Sequence, residues 1–375
     1  MFDDIRPYYD SEIPAAMQRI VSDPFFAPVV GFLFPGEKPS AIADSLKQCR
    51  SIDDFQRRFM YPAVYSIIHN TTDGVTVEGL ENLSPDKGYL YISNHRDIVL
   101  DAAILQVLLS DANLPTSEIT FGANLMQGQF VIDVGKSNKM FRVERPDTVS
   151  SGREFLQKSI RLSEYIRHAI VERHESVWIA QRNGRTKDGN DQTDRGIISM
   201  LCQSGTEDRI ASLAELNIVP ISISYEWESC DTLKAMELAA RAGGEPYVKR
   251  PGEDLQSILT GITQKKGRVH IAVGKPISRQ SLACLEGLSR ADITTAVVNM
   301  IDRWVVSSYK LFPNNYIAYD ILNAQESGHY TPEQKEAFLA HLGRLDSCPD
   351  AQAKKIILLG IYAAPVANKA NYINL

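Results

Sequence analysis

Several things are scarce in this sequence, and each absence excludes something. The 375 residues hold only five cysteines. Cys49, Cys202, Cys230, Cys284 and Cys348 are odd in number, scattered and without C-x-x-C spacing. That pattern excludes a disulfide framework and a zinc site, and points to free thiols in a reducing compartment. No apolar run approaches the roughly 20 residues of a membrane-spanning helix. The longest run from Phe25 to Pro35 and from Ile356 to Val366. The start, Met1-Phe2-Asp3-Asp4-Ile5-Arg6, lacks the basic and apolar regions of a signal peptide. There is no positive excess either: 40 Lys and Arg face 46 Asp and Glu, for a net charge of −6, so no global field gathers nucleic acid. Also missing are a G-x-S-x-G elbow, a phosphate-binding G-x-x-x-x-G-K-[ST] loop, a G-x-G-x-x-G turn after a strand and an H-E-x-x-H helix. No resident metal or cofactor is expected.

What is present is the composition of an ordinary folded protein, 44% hydrophobic and 23% charged, long enough for more than one domain. Residues 1–75 read as a helical extension, with helix starts at Ser11-Glu12-Ile13-Pro14 and Ser51-Ile52-Asp53-Asp54. Asn70-Thr71-Thr72-Asp73-Gly74 is a turn cluster that breaks the helical pattern. Residues 76–280 alternate short β-rich runs with longer helical stretches. The runs are Tyr89–Ser93, Ile119–Phe121, Met140–Val143, Val177–Ala180, Ile218–Ser224 and Val269–Val273. This alternation predicts an α/β fold, a largely parallel sheet flanked by helices. Residues 281–375 read as a helical region packed on that domain.

The chemistry-bearing stretch follows the first of these strands. Tyr89–Ser93 runs straight into Asn94-His95, at a strand's carboxyl end, where open α/β sheets bind ligands. Asp97 suits the N-cap of a helix over Ile98–Leu109, and Asp101 falls in that helix's first turn. These residues fit a histidine–carboxylate catalytic pair. They fit equally a capped helix beside a structural histidine.

His95 and Asp101 resemble the His-x4-Asp motif of the glycerolipid acyltransferases, the superfamily of glycerol-phosphate and lysophosphatidic acid acyltransferases. Three further blocks follow in that family's order. Met140-Phe141-Arg142-Val143-Glu144-Arg145 resembles its second motif, a strand ending in arginine. Trp178 through Thr186 resembles the third, a strand ending in Glu-Gly-Thr-Arg, and Asn217-Ile218-Val219-Pro220-Ile221 resembles the fourth. The resemblance covers residues 75–280, and the helical N-terminal extension is similar to that of a bacterial subgroup. Two departures stand out. Five residues rather than four separate His95 from Asp101, so the pair meets only if His95 sits ahead of the helix, on the turn; Asp97 is the alternative partner. Asn183 stands where the family has glutamate, and Arg185 and Thr186 follow Gly184 in reversed order. An asparagine keeps the hydrogen-bonding shape but not the charge, and Gln181 is a possible substitute.

The resemblance implies transfer of a fatty acyl group from acyl-CoA or acyl-carrier protein to the hydroxyl of a lysophospholipid such as 1-acylglycerol-3-phosphate. His95 would be the general base and Asp101, or Asp97, its orienter. A phosphate-bearing acceptor needs cations, and residues 136–187 carry twelve Lys and Arg against six Asp and Glu. By resemblance Arg145 and Arg185 hold the phosphate; Lys187, also at a strand end, joins them. Asn183, Gly184 and Thr186 belong to the substrate loop. Leu125, Met126 and Phe130 are candidates for an acyl channel. Phe25–Phe34 and Lys354–Tyr362 are the candidate faces toward lipid, core packing being the alternative for both. The expected location is cytoplasmic, peripheral on the inner face of the cell membrane. Two other readings remain: O-acylation of a mono-acylated amino-acid lipid, and a non-catalytic lipid-binding relative.

Overall fold

A computed structural model describes residues 2–144, 150–242 and 247–373. Seven strands form one sheet: β1 Thr72–Glu78, β2 Leu90–Ser93, β3 Glu118–Gly122, β4 Met140–Val143, β5 Val177–Ala180, β6 Ile218–Tyr225 and β7 Gly267–Val273. Their spatial order is β1-β7-β6-β2-β5-β3-β4. The five strands from β6 to β4 are parallel, whereas β7 runs antiparallel to β6 and carries β1 parallel to itself. Every residue of β2 and β6 is buried, because helices cover both faces and leave no strand side for polar residues. Successive side chains alternate between two cores. Leu90, Ile92, Val177, Ile179 and Ile218 face one, and Tyr91, Trp178, Val219, Ile221 and Tyr225 face the other.

The predicted α/β class holds, and all six predicted strands are present. The turn cluster at Asn70–Gly74 is different: the helix Tyr61–Thr71 passes without a loop into β1, which pairs with β7. That helix continues from Ile52–Phe55 through a π-type turn at Gln56–Met60. Pro62 explains the wide turn, since it has no N–H to donate and its ring crowds the preceding turn. Ser51 caps the start by accepting from the Asp54 amide, which returns the bond through its carboxylate.

The N-terminal helices Ile13–Ser22, Phe26–Leu33 and Pro39–Leu46 close their own apolar cluster around Met17, Ile20, Phe55 and Phe59. Ahead of them, the Ile5 carbonyl accepts from Arg142 N at 3.1 Å, so this segment covers the open edge of β4. At the other end, the helix Arg290–Ser308 packs Ile293, Val297, Ile301 and Val305 on one sheet face. The helix Ala351–Ile373 buries Leu358, Leu359, Ile361 and Tyr362 against the helices Pro313–Asn323 and Asp231–Ala242. The apolar run within Lys354–Tyr362 is therefore mostly core, with Ile356 left exposed at 51%, while Lys355 reaches out to Asp346.

Candidate active site

Asn94 follows directly on β2 and fastens the chain there. Its side-chain amide accepts from Ile223 N and donates to Ile223 O, bridging the end of β2 to β6 at 2.8 and 3.0 Å. His95 comes next, on the turn and ahead of the helix Leu100–Asp111. Its Nδ1 lies 2.8 Å from Asp101 Oδ2. The same oxygen accepts from the amides of Arg96 at 2.6 Å and Asp97 at 2.9 Å, and Asp101 Oδ1 accepts from the Tyr225 hydroxyl at 2.7 Å. A carboxylate receiving four donors is held in one orientation. Since it can only accept, Nδ1 carries the ring proton, and Nε2 is left as the basic nitrogen.

Asp97 faces elsewhere. Its Oδ1 accepts from Val99 N and Leu100 N, both at 2.8 Å, and its Oδ2 takes the Ser229 hydroxyl. The extra residue between His95 and Asp101 is taken up by the turn that Asp97 caps. Gly261 lies close by, where an added Cβ would come within 2.4 Å of Asp97 Oδ2.

Beneath this turn lies a buried ionic cluster. The Arg96 guanidinium, 1% exposed, donates to Asp191 at 2.6 Å, to Glu228 at 3.1 Å and to the Gly189 carbonyl at 3.3 Å. Burial works against its charge, but Asp191 and Glu228 outweigh burial and hold its pKa well above the ordinary value. Lys234 completes the cluster, reaching Glu228 at 2.6 Å and the Arg96 carbonyl at 2.8 Å. Two cations and two carboxylates thus neutralise one another out of water. The Tyr362 hydroxyl donates to Asp231 at 2.7 Å and lies 3.0 Å from the Glu228 amide, connecting the C-terminal helix to this cluster.

A cavity of about 1350 Å³ opens beside His95 and runs along both sheet faces at the strands' carboxyl ends. On one side its walls are Ile5, Leu162, Ile166, Ile179, Ile197 and Met200; on the other, Ile67, Ala102, Trp178 and Ile262. The Trp178 ring stands edge-on to His95, with centroids 5.7 Å apart. Leu125 lines the cavity, whereas Met126 is buried away from it and Phe130 packs with the N-terminal helices.

The residues expected to form a substrate loop and phosphate clamp divide. Asn183, Gly184, Arg185 and Lys187 line the cavity, and Gly184 uses a φ of 76°, where glycine is favoured. Arg185 Nη1 is buried and has no hydrogen-bond partner among the described residues. Lys187 is paired with Glu237, and burial nonetheless pulls its pKa below the ordinary lysine value. Thr186 turns inward, its hydroxyl donating to Asp191 at 2.9 Å and its amide to the His95 carbonyl at 2.7 Å. Gln181 is buried too, with both side-chain polar atoms unpartnered among the described residues. Arg145 lies outside the described residues. Sequence reasoning missed Asn94, Arg96, Asp191, Tyr225, Glu228 and Lys234. Asn94 and Arg96 flank His95 and could have been singled out on that ground, but the other four are joined to it only by the fold.

Residues 74–224 match the acyltransferase family model. Dihydroxyacetone phosphate acyltransferase of Bos taurus is 22% identical over 225 residues, which is 60% of this chain and 31% of that protein. The chain therefore spans about a third of the length of that relative. The crystal structure of the 1-acyl-sn-glycerophosphate (LPA) acyltransferase PlsC from Thermotoga maritima aligns with a TM-score of 0.37 at 15% identity, over 78% of this chain and 93% of that one. The match to the acyltransferase family model thus falls on the residues that hold the strand-end histidine and most of the cavity's polar rim.

Proposed function

We propose that this protein transfers a fatty acyl group from a thioester, acyl-CoA or acyl-carrier protein, to the hydroxyl of a lysophospholipid such as 1-acylglycerol-3-phosphate. The observation that carries the reading is the His95–Asp101 pair, with Nδ1 engaged at 2.8 Å and Nε2 without a hydrogen-bond partner among the described residues, on the wall of a large, mainly apolar cavity. In the reaction His95 Nε2 takes the acceptor's hydroxyl proton as the oxygen attacks the thioester carbonyl. The tetrahedral intermediate collapses, the C–S bond breaks, and the thiolate recovers the proton from the imidazolium. Asp101 keeps the ring in the reactive tautomer and stabilises its cationic form.

Arg185 is the cation best suited to the acceptor's phosphate, being in the cavity wall with an uncommitted guanidinium nitrogen. Lys187 is already neutralised by Glu237, so its share in such a clamp is smaller. Access from a membrane surface is favoured by the helix Phe26–Leu33. Phe25 and Phe32 are exposed there, while Leu33 lines the cavity. No described helix is long and apolar enough to cross a membrane.

The test is transfer from labelled acyl-CoA and acyl-carrier protein to a panel of lyso-lipids. His95→Ala should abolish turnover, and Arg185→Ala should raise KM for phosphate-bearing acceptors at least tenfold with less effect on kcat. Full activity in His95→Ala would rule out the catalytic reading. An unchanged acceptor KM in Arg185→Ala would transfer the proposal to amino-acid lipids, which carry no phosphate.

A further inference from the structure

The two oxygens of the Asp101 carboxylate are divided between different parts of the molecule. Oδ2 serves the catalytic turn, accepting from His95, Arg96 N and Asp97 N. Among the described residues Oδ1 accepts only from Tyr225, the last residue of β6, at 2.7 Å. Tyr225 is 1% exposed, does not line the cavity, and its hydroxyl makes no other hydrogen bond among the described residues. We propose that Tyr225 is a positioning residue for the His95–Asp101 pair, its hydroxyl setting how strongly the carboxylate holds the imidazolium form of His95.

The physical basis is competition for one charge. A hydroxyl donating to Oδ1 draws electron density from the carboxylate and places its positive end near it, which weakens the pull of Oδ2 on the ring proton. Removing that donor makes Asp101 a stronger base toward His95. Other charges surround the pair without touching Oδ1: Asp97 on the turn, Arg96 and Asp191 in the cluster below, Glu228 after β6, Lys234 on the following helix, and Lys266 just before β7. Burial, with the nearby Asp101, Asp97 and Glu228, pushes the Tyr225 phenol well above its ordinary value, so it stays a neutral donor at every working pH. Tyr225 therefore tunes the pair without supplying a proton to it.

The proposal rests on the acyl-transfer reading only for its rate measurement. The decisive variant is Tyr225→Phe, which keeps the ring's packing and deletes the donor. Two profiles are read: kcat against pH, and the His95 ring titration by 15N NMR in the resting protein, assigned by difference from His95→Gln. The expected result is an upward move of both midpoints by roughly half a unit to one unit, with acceptor KM unchanged. In an Asp101→Asn background the same change should leave the midpoint where Asp101→Asn alone puts it. An unmoved midpoint, or an equal shift without the Asp101 charge, overturns the proposal. If Tyr225→Phe does not fold, the parent still answers. The Tyr225 ring 13C signals should follow the His95 titration with the same midpoint, and indifference to it refutes the coupling. A parent that titrates in this way but transfers no acyl group would instead count against the acyl-transfer reading alone.

Discussion

Replacing Asp101 by asparagine separates the charge of the carboxylate from its geometry. The site dictates which way the new amide points. The Oδ2 position faces the backbone N–H groups of Arg96 and Asp97 at 2.6 and 2.9 Å, and only an oxygen can satisfy both. The amide NH2 is therefore driven to the Oδ1 side, where the Tyr225 hydroxyl can rotate to accept from it. His95 then still donates Nδ1–H to an oxygen, and the reactive tautomer survives. What is lost is the ionic stabilisation of the imidazolium. Unit charges about 4 Å apart in a medium of effective dielectric about 20 interact by about 4 kcal/mol. Because the amide dipole replaces part of this, kcat should fall roughly a hundred- to thousandfold. A flipped tautomer would cost about ten-thousandfold, as in a serine-protease triad. The assay is acyl transfer to 1-acylglycerol-3-phosphate at saturating donor, with 15N shifts of the His95 ring to identify the protonated nitrogen. A fall of less than tenfold would refute a role for the charge, and a proton found on Nε2 would refute the orientation argument.

Three further changes probe the surroundings. Arg96→Met leaves the buried Asp191 and Glu228 carboxylates with one cation, Lys234, and should cost about 3–5 kcal/mol in urea unfolding; a loss below about 1 kcal/mol would show that the cluster does not depend on it. Gly261→Ala directs a methyl into Asp97 Oδ2, so it should destabilise by about 1–3 kcal/mol and lower kcat by displacing the turn. An unaltered melting temperature would mean that the helix shifts freely. Asp302 accepts from Thr193 N and its hydroxyl at 2.8 and 2.6 Å, and burial raises its pKa above the ordinary 3.8. A carboxyl raised on folding favours the folded state below its unfolded pKa, and that stability is lost as pH rises through the folded value. Asp302→Asn should therefore gain stability relative to the parent between pH 4 and pH 8, and a constant difference in denaturation midpoint across that range contradicts the assignment.

The strands that lie inside the sheet were legible because burial on both faces makes them short, apolar and β-branched. β1 was not. Thr72 to Glu78 is a half-exposed edge strand, and its Thr-Asp-Gly start has the composition of a turn. The antiparallel entry of β7 left no mark either, since strand direction is decided by the connecting chain. At the site, the strand-end position of His95 could be read directly. The choice between Asp101 and Asp97 could not, because both carboxylates suit a helix start. Two backbone amides of the turn aim at Asp101, while Ser229, far along the chain, occupies Asp97. Thr186 and Lys187 look like exposed loop residues until their partners, Asp191 and Glu237, are brought to them by the fold. The apolar residues of Lys354–Tyr362 likewise suited either lipid or, more commonly, core, and the helices they meet bury Leu358, Leu359, Ile361 and Tyr362 while Ile356 stays exposed.

The junction between the C-terminal helix and the turn that carries His95 bears on the timing of folding. Arg96, Asp191, Glu228 and Lys234 all precede residue 235, yet the loops that carry Asp191 and Glu228 are fastened by later residues. Tyr362 contacts Glu228 and Asp231, Asn368 reaches Asn190 at 3.0 Å, and the Ile361 carbonyl lies against Gly189. During synthesis or refolding the sheet can therefore form while the turn bearing His95 rests on loops not yet pinned. Secondary structure should return before acyl transfer does, and the interval between the two should lengthen when Tyr362 is replaced by phenylalanine.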